Sequence, residues 1–212
     1  RIDLALLLRP NDLETRYERA VADFELCRFA EASRGLEAVI ARDPDHAYAR
    51  HYLALVLERT GEAAAAQHFA RARLLRPREF AAPVPVTAPE FRSLVDAIIR
   101  DLPGDAQQAL GRVPVETAEL PELADLTADD PPLSPTILGL FRGPPEGGTC
   151  RPATRADGGA TPDRAIVLYR KNLARAVANR AELQAEVRKT ILHELGHMNG
   201  EDDAALRARG LE

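Results

Sequence analysis

The chain has 212 residues, of which 45% are hydrophobic and 29% are charged, and its formal net charge is −5. This length and apolar content suffice for one large domain or two small ones. The negative balance, with arginines interspersed among acids, argues against a nucleic-acid partner, and no apolar run is long enough for a membrane span.

The two cysteines, Cys27 and Cys150, belong to different halves of the chain and form no CxxC pair. Because small secreted domains rely on disulfide frameworks, this usage indicates a reducing, cytoplasmic location. The chain begins at Arg1 rather than at a methionine, which leaves export through a removed leader open.

The first third of the chain contains an internal repeat. Pro10, Pro44 and Pro77 each end a helical pattern and lie 34 and 33 residues apart. Small residues such as Ala32 and Ala65 occupy matching positions, where they allow two helices to approach closely. The period and the pattern resemble the tetratricopeptide repeat, which implies paired helices and a concave surface for a partner peptide.

Helices are predicted over Leu13–Phe29, Ala32–Ala41, Ala47–Arg59 and Glu62–Leu75. Residues 1–9 are interpreted as the tail of an earlier helix, so the chain is expected to begin within a repeat. We therefore predict an all-α repeat unit over residues 1–77. Residues 78–88 are predicted to be a linker, because prolines so closely spaced cannot continue a helix.

Residues 89–212 predict a smaller α/β domain. An amphipathic helix runs from Phe91 to Leu102, ahead of Pro103. Val113 and Val115 alternate as in a short strand, and two further strands are predicted at Ile137–Phe141 and Ala165–Tyr169.

The last predicted helix carries the sequence HELGH. Asn179 is the predicted N-cap, with Glu182 completing a capping box, and Gly200 is expected to end the helix. The residues expected to form its buried stripe recur at helical spacing and are Leu183, Val187, Ile191, Leu195 and Met198.

His193 and His197 stand four residues apart and project from one face of this helix, so both imidazoles can bind one metal ion. Glu194 lies between them and is placed beside the metal rather than on it. That position suits a general base that takes a proton from a metal-activated water. The motif therefore predicts a catalytic zinc site.

Zinc bound by two histidines needs a third protein ligand and an open position. The remaining histidines, His46, His51 and His68, lie in the repeat region. A local carboxylate is therefore favoured. Asp203, at the last position of HExxHxxGxxD, is the best placed, and Asp202 is the close alternative.

The segments LGLFRG, PDRAIVLYRKNL and TILHELGHMNG, in this order, resemble a family of small bacterial zincin-like metallopeptidases from about Pro89 to Glu212. The resemblance implies a short mixed sheet beside an active-site helix. It also implies one zinc ion per chain on His193, His197 and an acid in the place of Asp203. Two positions depart from the family pattern, since Met198 and Asn199 stand where a histidine and an aromatic residue are frequent.

In zincins an edge strand holds the extended substrate by main-chain pairing. The strand within Arg164–Arg170 is the predicted candidate, with Ile166, Leu168 and Tyr169 as substrate-binding residues. The favoured function is a zinc-dependent peptidase whose repeats recruit a protein substrate or partner. The alternative is a repeat-based interaction protein with a non-proteolytic zinc domain.

Overall fold

The structure is a computed structural model that describes residues 12–143 and 164–211. Residues 1–9, Pro10 and Cys150, which the sequence analysis discussed, lie outside these ranges. Internal contacts divide the chain into two units. One consists of Arg1–Ala82 with Glu122–Pro135, and the other of Pro83–Pro121 with Thr136–Glu212. Glu122–Pro135, inside the range predicted as the second domain, thus clusters with the first unit.

The helices and strands of the described residues range from four residues to the nineteen of Arg180–Met198. In chain order they are α1 (Leu13–Glu25), α2 (Phe29–Arg42), α3 (Ala47–Arg59), α4 (Ala64–Leu75), α5 (Ala88–Arg100), α6 (Gly104–Leu110), β1 (Val115–Ala118), α7 (Leu123–Leu126), β2 (Gly139–Arg142), β3 (Ala165–Tyr169), α8 (Arg170–Ala176), α9 (Arg180–Met198) and α10 (Asp203–Ala208).

The first unit is built from two helix pairs, α1 with α2 and α3 with α4, and α2 also packs on α3. The small residues that the repeat pattern placed at helix contacts, Ala32 and Ala65, are buried, together with Ala20 and Ala72. Helices can therefore approach closely at these positions. This arrangement agrees with a tetratricopeptide-like unit.

The first predicted helix ends earlier than expected. Instead of continuing to Phe29, α1 stops at Glu25, and Cys27 takes a positive φ of 59°. The Arg28 N–H donates to the Asp23 carbonyl and the Cys27 N–H to the Phe24 carbonyl. These bonds satisfy carbonyl groups at the helix end and turn the chain into α2.

The second unit contains a three-stranded mixed sheet of order β1-β3-β2. β3 pairs in parallel with β1, placing Val115 opposite Ile166, and antiparallel with β2, placing Phe141 opposite the same residue. α9 packs against β2, β3 and α5. The predicted class, a small α/β domain with a short mixed sheet beside the motif helix, is confirmed.

α9 has the predicted N-cap at Asn179 and the predicted stop at Gly200, but Glu182 bonds the N–H of Ala178 rather than that of Asn179, so the predicted capping box is not formed. The Asn179 side chain accepts from the Glu182 N–H at 3.0 Å, while the Glu182 carboxylate accepts from the Ala178 N–H at 2.8 Å. Gly200 has a φ of +86°, a conformation that glycine adopts without strain. All five residues of the predicted stripe are buried: Leu183, Val187, Ile191, Leu195 and Met198.

Across the two described ranges, no helix combines the length and the apolar character that crossing a lipid bilayer would require.

Candidate metal centre

His193 and His197 face each other on the last two turns of α9. Their Nε2 atoms lie 2.9 Å apart. The Nδ1 atom of His193 lies 2.6 Å from the Leu211 carbonyl oxygen, and that of His197 lies 3.0 Å from the Glu201 carbonyl oxygen. Since a carbonyl only accepts hydrogen bonds, each Nδ1 carries the proton and each Nε2 presents a lone pair. Two lone pairs so close together suit a shared cation.

Asp203 completes the cluster from the first turn of α10. Its Oδ1 atom lies 3.3 Å from the Nε2 atom of His197, and the ligand atoms of His193, His197 and Asp203 all lie within 4.8 Å of one another. Asp202 has a different place, because its Oδ1 atom accepts from the Ala205 N–H at 2.8 Å and caps α10. Of the two acids that the sequence offered, the structure brings Asp203 to the histidines.

The donor set fits zinc by its chemistry. Two neutral imidazole nitrogens and one carboxylate oxygen are the protein ligands of many catalytic zinc sites, which keep a fourth position open. The hydrogen bonds at the two Nδ1 atoms fix the imidazoles in the tautomer that such binding requires. Asp203 is exposed and His193 and His197 are half-buried, so the cluster can be reached from solvent.

Glu194 lies beside this cluster and is buried, with 6% of its surface exposed. Its Oε2 atom accepts a hydrogen bond of 2.7 Å from the Phe141 N–H on β2. Burial raises the pKa of Glu194 from 4.5 to about 7, although His193 and the Phe141 N–H act in the opposite direction. In the metal-free protein the Glu194 carboxyl group therefore titrates near neutral pH.

Gly139 allows β2 to lie against α9 at this point. A Cβ atom on Gly139 would stand 2.6 Å from Cγ2 of Thr190 and 3.3 Å from Oε1 of Glu194, both closer than ordinary contacts. The absence of a side chain thus brings the β2 backbone within hydrogen-bonding distance of Glu194. The glycine in LGLFRG was visible in the sequence, but its neighbours on α9 were not.

A second close approach holds α10 against α9. A Cβ atom on Gly196 would lie 2.2 Å from Cδ2 of Leu206, and Leu206 is fully buried. The sequence analysis missed α10. The signal was present in Asp202, a good N-cap residue ahead of AALRA, but so short a helix is hard to predict.

The prediction that β3 is an edge strand is wrong. β3 is the central strand of the sheet and pairs with β1 on one side and β2 on the other. Ile166, Leu168 and Tyr169 are all buried, with at most 1% of their surface exposed. Their main-chain groups are used within the sheet, and their side chains lie in the cores on its two faces. They are not positioned to bind an extended substrate.

Comparison with known proteins finds one family model that is similar to part of the chain. Residues 110–211 match the family model described as zincin-like metallopeptidase. This range includes β1, β2, β3, α9 and α10, and therefore the whole cluster around His193 and His197. A search of curated proteins found no match.

Proposed function

Since residues 110–211 belong to the zincin-like metallopeptidase family, we propose that this protein hydrolyses peptide bonds with one zinc ion held by His193, His197 and Asp203. The observation that carries the proposal is the convergence of these three ligand atoms within 4.8 Å, next to the buried carboxyl group of Glu194. A metal site without such a base would suit a structural role equally well.

The chain's own residues account for the proton transfers. A zinc ion held by His193, His197 and Asp203 would supply Lewis acidity to the scissile carbonyl and to the attacking water. The Phe141 N–H holds one oxygen of Glu194 in place. The other oxygen is then available to take the proton of the attacking water and to pass it to the leaving amine.

The extended substrate binds beside β2 in this proposal. The Tyr169 N–H donates to the Leu138 carbonyl, and the register pairs Leu140 with Val167. Because main-chain groups of an antiparallel strand alternate in direction, those of Gly139 and Phe141 point away from β3. Among the described residues β2 is an edge of the sheet. The Phe141 N–H is already bonded to Glu194, so an added strand pairs beside it through the main-chain groups of Gly139 and the Phe141 carbonyl.

The repeats recruit the protein substrate through a basic segment. A cleft of about 440 Å³ lies between the start of α1 and the start of α3. The residues that line the cleft include one cation, Arg76, and six that are acidic or aromatic: Glu14, Tyr17, Asp43, Asp45, His46 and Tyr48. The rings of Tyr17 and Tyr48 lie 6.5 Å apart. Arg76 already lies 6.0 Å from the centroid of the Tyr48 ring. The three carboxylates that line the cleft outnumber this one cation, and this excess of negative charge beside aromatic rings favours a further lysine or arginine side chain.

The test of catalysis compares the zinc-loaded protein with Glu194→Gln at matched zinc content. Both are incubated with a diverse peptide mixture, and new termini are identified by mass spectrometry. We expect new termini in the first sample only, because glutamine keeps the shape of the side chain but cannot accept the water's proton. Equal cleavage by both proteins, or none by the zinc-loaded protein, would contradict the proposed mechanism.

The ligand set is tested separately by a matched pair of variants. We expect Asp203→Asn to lower zinc affinity strongly. Asp202→Asn should leave zinc affinity nearly unchanged, since asparagine is also a good N-cap and keeps α10 in place. The measurement is zinc titration in competition with a chromophoric chelator. Loss of zinc binding in Asp202→Asn alone would exchange the roles of the two acids.

A further inference from the structure

Both histidines of the metal cluster are hydrogen-bonded to main-chain carbonyl groups of the segment that follows α9. His197 is bonded to the carbonyl of Glu201, in the turn directly after α9. His193 is bonded to the carbonyl of Leu211, which lies eighteen residues after His193 in the chain. The chain must leave α9, form α10 and turn back before Leu211 can reach His193.

The position of Leu211 is determined by hydrogen bonds and packing. The Leu211 N–H donates to the Leu206 carbonyl at 3.1 Å, and the Arg209 N–H donates to the same group at 3.1 Å. Gly210 takes a φ of +73°, which turns the chain between these bonds. The side chain of Leu206 is buried against Gly196 of α9. The Leu211 carbonyl is therefore anchored to the helix that carries the histidines.

A carbonyl oxygen at Nδ1 has a definite chemical effect on an imidazole. A neutral histidine has two tautomers, and an acceptor at Nδ1 keeps the proton there. The lone pair is then on Nε2, the atom that faces His197 and Asp203. Acceptors of this kind orient metal-binding histidines and raise their basicity.

We propose that the main-chain carbonyl of Leu211, in the turn after α10, positions His193 for metal binding. The metal centre then depends on this turn as well as on α9. This inference rests on the proposed zinc site. Loss of such an acceptor typically weakens metal binding about 10- to 100-fold. Removal of the Leu211 carbonyl is therefore expected to weaken zinc binding by this factor, while the hydrogen bond between His197 and the Glu201 carbonyl stays intact.

Three variants distinguish the effect of the Leu211 carbonyl on zinc binding from the effect of the Leu211 side chain. The first lacks Gly210–Glu212 and therefore the Leu211 carbonyl. The second, Gly210→Val, keeps the chain length but places a β-branched residue where φ is +73°, which redirects the carbonyl. The matched control is Leu211→Ala, which removes the side chain and retains the main-chain oxygen. Zinc affinity is measured by competition with a chromophoric chelator.

The first two variants are expected to bind zinc about 10- to 100-fold more weakly than the unchanged protein, and Leu211→Ala within about twofold. Equal zinc affinity in all four proteins would overturn the inference. So would an equal loss in Leu211→Ala, because that result would assign the effect to side-chain packing.

Nitrogen NMR of the metal-free proteins at alkaline pH provides a second readout, independent of activity. The Nδ1–H tautomer is expected at both histidines in the unchanged protein and in Leu211→Ala. In the other two variants only His193 should shift toward the Nε2–H tautomer. A simultaneous change at His197 would indicate local unfolding of the turn and would contradict a specific role for Leu211.

The same measurements distinguish this inference from the proposed function. If the unchanged protein binds no zinc, the proposed zinc peptidase fails. If it binds zinc and the variants bind it equally well, the peptidase proposal stands and only the role of Leu211 is refuted.

Discussion

From the close contact between Gly196 and Leu206 we predict how the substitution Gly196→Ala changes the packing of α10 on α9 and the free energy of unfolding. In Gly196→Ala the new Cβ atom would stand 2.2 Å from Cδ2 and 3.3 Å from Cγ of Leu206. Leu206 is fully buried, so it cannot move aside into solvent. The substitution therefore forces Leu206, and α10 with it, away from α9.

Two opposing effects set the magnitude. Overpacking of a core typically costs ~1–3 kcal/mol, whereas replacing glycine by alanine inside a helix gains ~1 kcal/mol. Gly196→Ala should therefore lower the free energy of unfolding by up to ~2 kcal/mol. In a Leu206→Ala background the space is vacant, so only the gain remains and the same substitution should stabilise the protein by ~1 kcal/mol.

The assay is a double-mutant cycle in which urea unfolding of the metal-free proteins is followed by circular dichroism. Leu206→Ala alone should cost ~2–5 kcal/mol, as expected for a fully buried leucine. The decisive quantity is the sign of the Gly196→Ala effect in the two backgrounds. An effect of the same size in both, within ~0.5 kcal/mol, would refute the reasoning, since it would mean that the two residues do not interact.

Three further predictions concern the metal, the buried acid and a helix cap. Zinc at about 100 times its Kd should add about 2.7 kcal/mol of stability, seen as a higher melting temperature that a chelator abolishes. Since the folded metal-free protein holds the Glu194 proton up to about pH 7 rather than 4.5, its stability should fall by about 3 kcal/mol as pH rises through that window, and Glu194→Gln should remove this fall in urea titrations. Thr87→Ala breaks the capping box with Glu90 and should cost ~1 kcal/mol in thermal unfolding at constant pH, whereas Thr87→Ser should cost little.

Local patterns in the sequence were sufficient for α9 and for the existence of the repeat helices, although not for the boundary between α1 and α2. A helical stripe, an N-cap at Asn179 and a stop at Gly200 involve residues within a few turns of one another. Their structural consequences can therefore be deduced without knowledge of distant parts of the chain. The same holds for His193 and His197, because four residues along a helix place both on one face.

The strand order could not be deduced in this way. The apolar run of β3 is compatible with an edge strand or a central one, since burial on both faces gives the same sequence pattern. Its central position depends on pairing with β1 and β2, which are distant in the chain. For the same reason the role of β2 beside Glu194 was missed. The hydrogen bond from the Phe141 N–H joins residues far apart in sequence.

By itself, the sequence determined the kind of site: two histidines and a glutamate on one helix, with an acid nearby. Only the tertiary structure decided which acid approaches, how deeply Glu194 is buried and what holds the imidazoles. Asp202 and Asp203 are neighbours of the same type, and the N-terminus of α10 uses one as its cap and leaves the other to face His197. The Leu211 carbonyl carries no sequence signal at all, because every residue has one. Its position depends on the packing of Leu206 against Gly196.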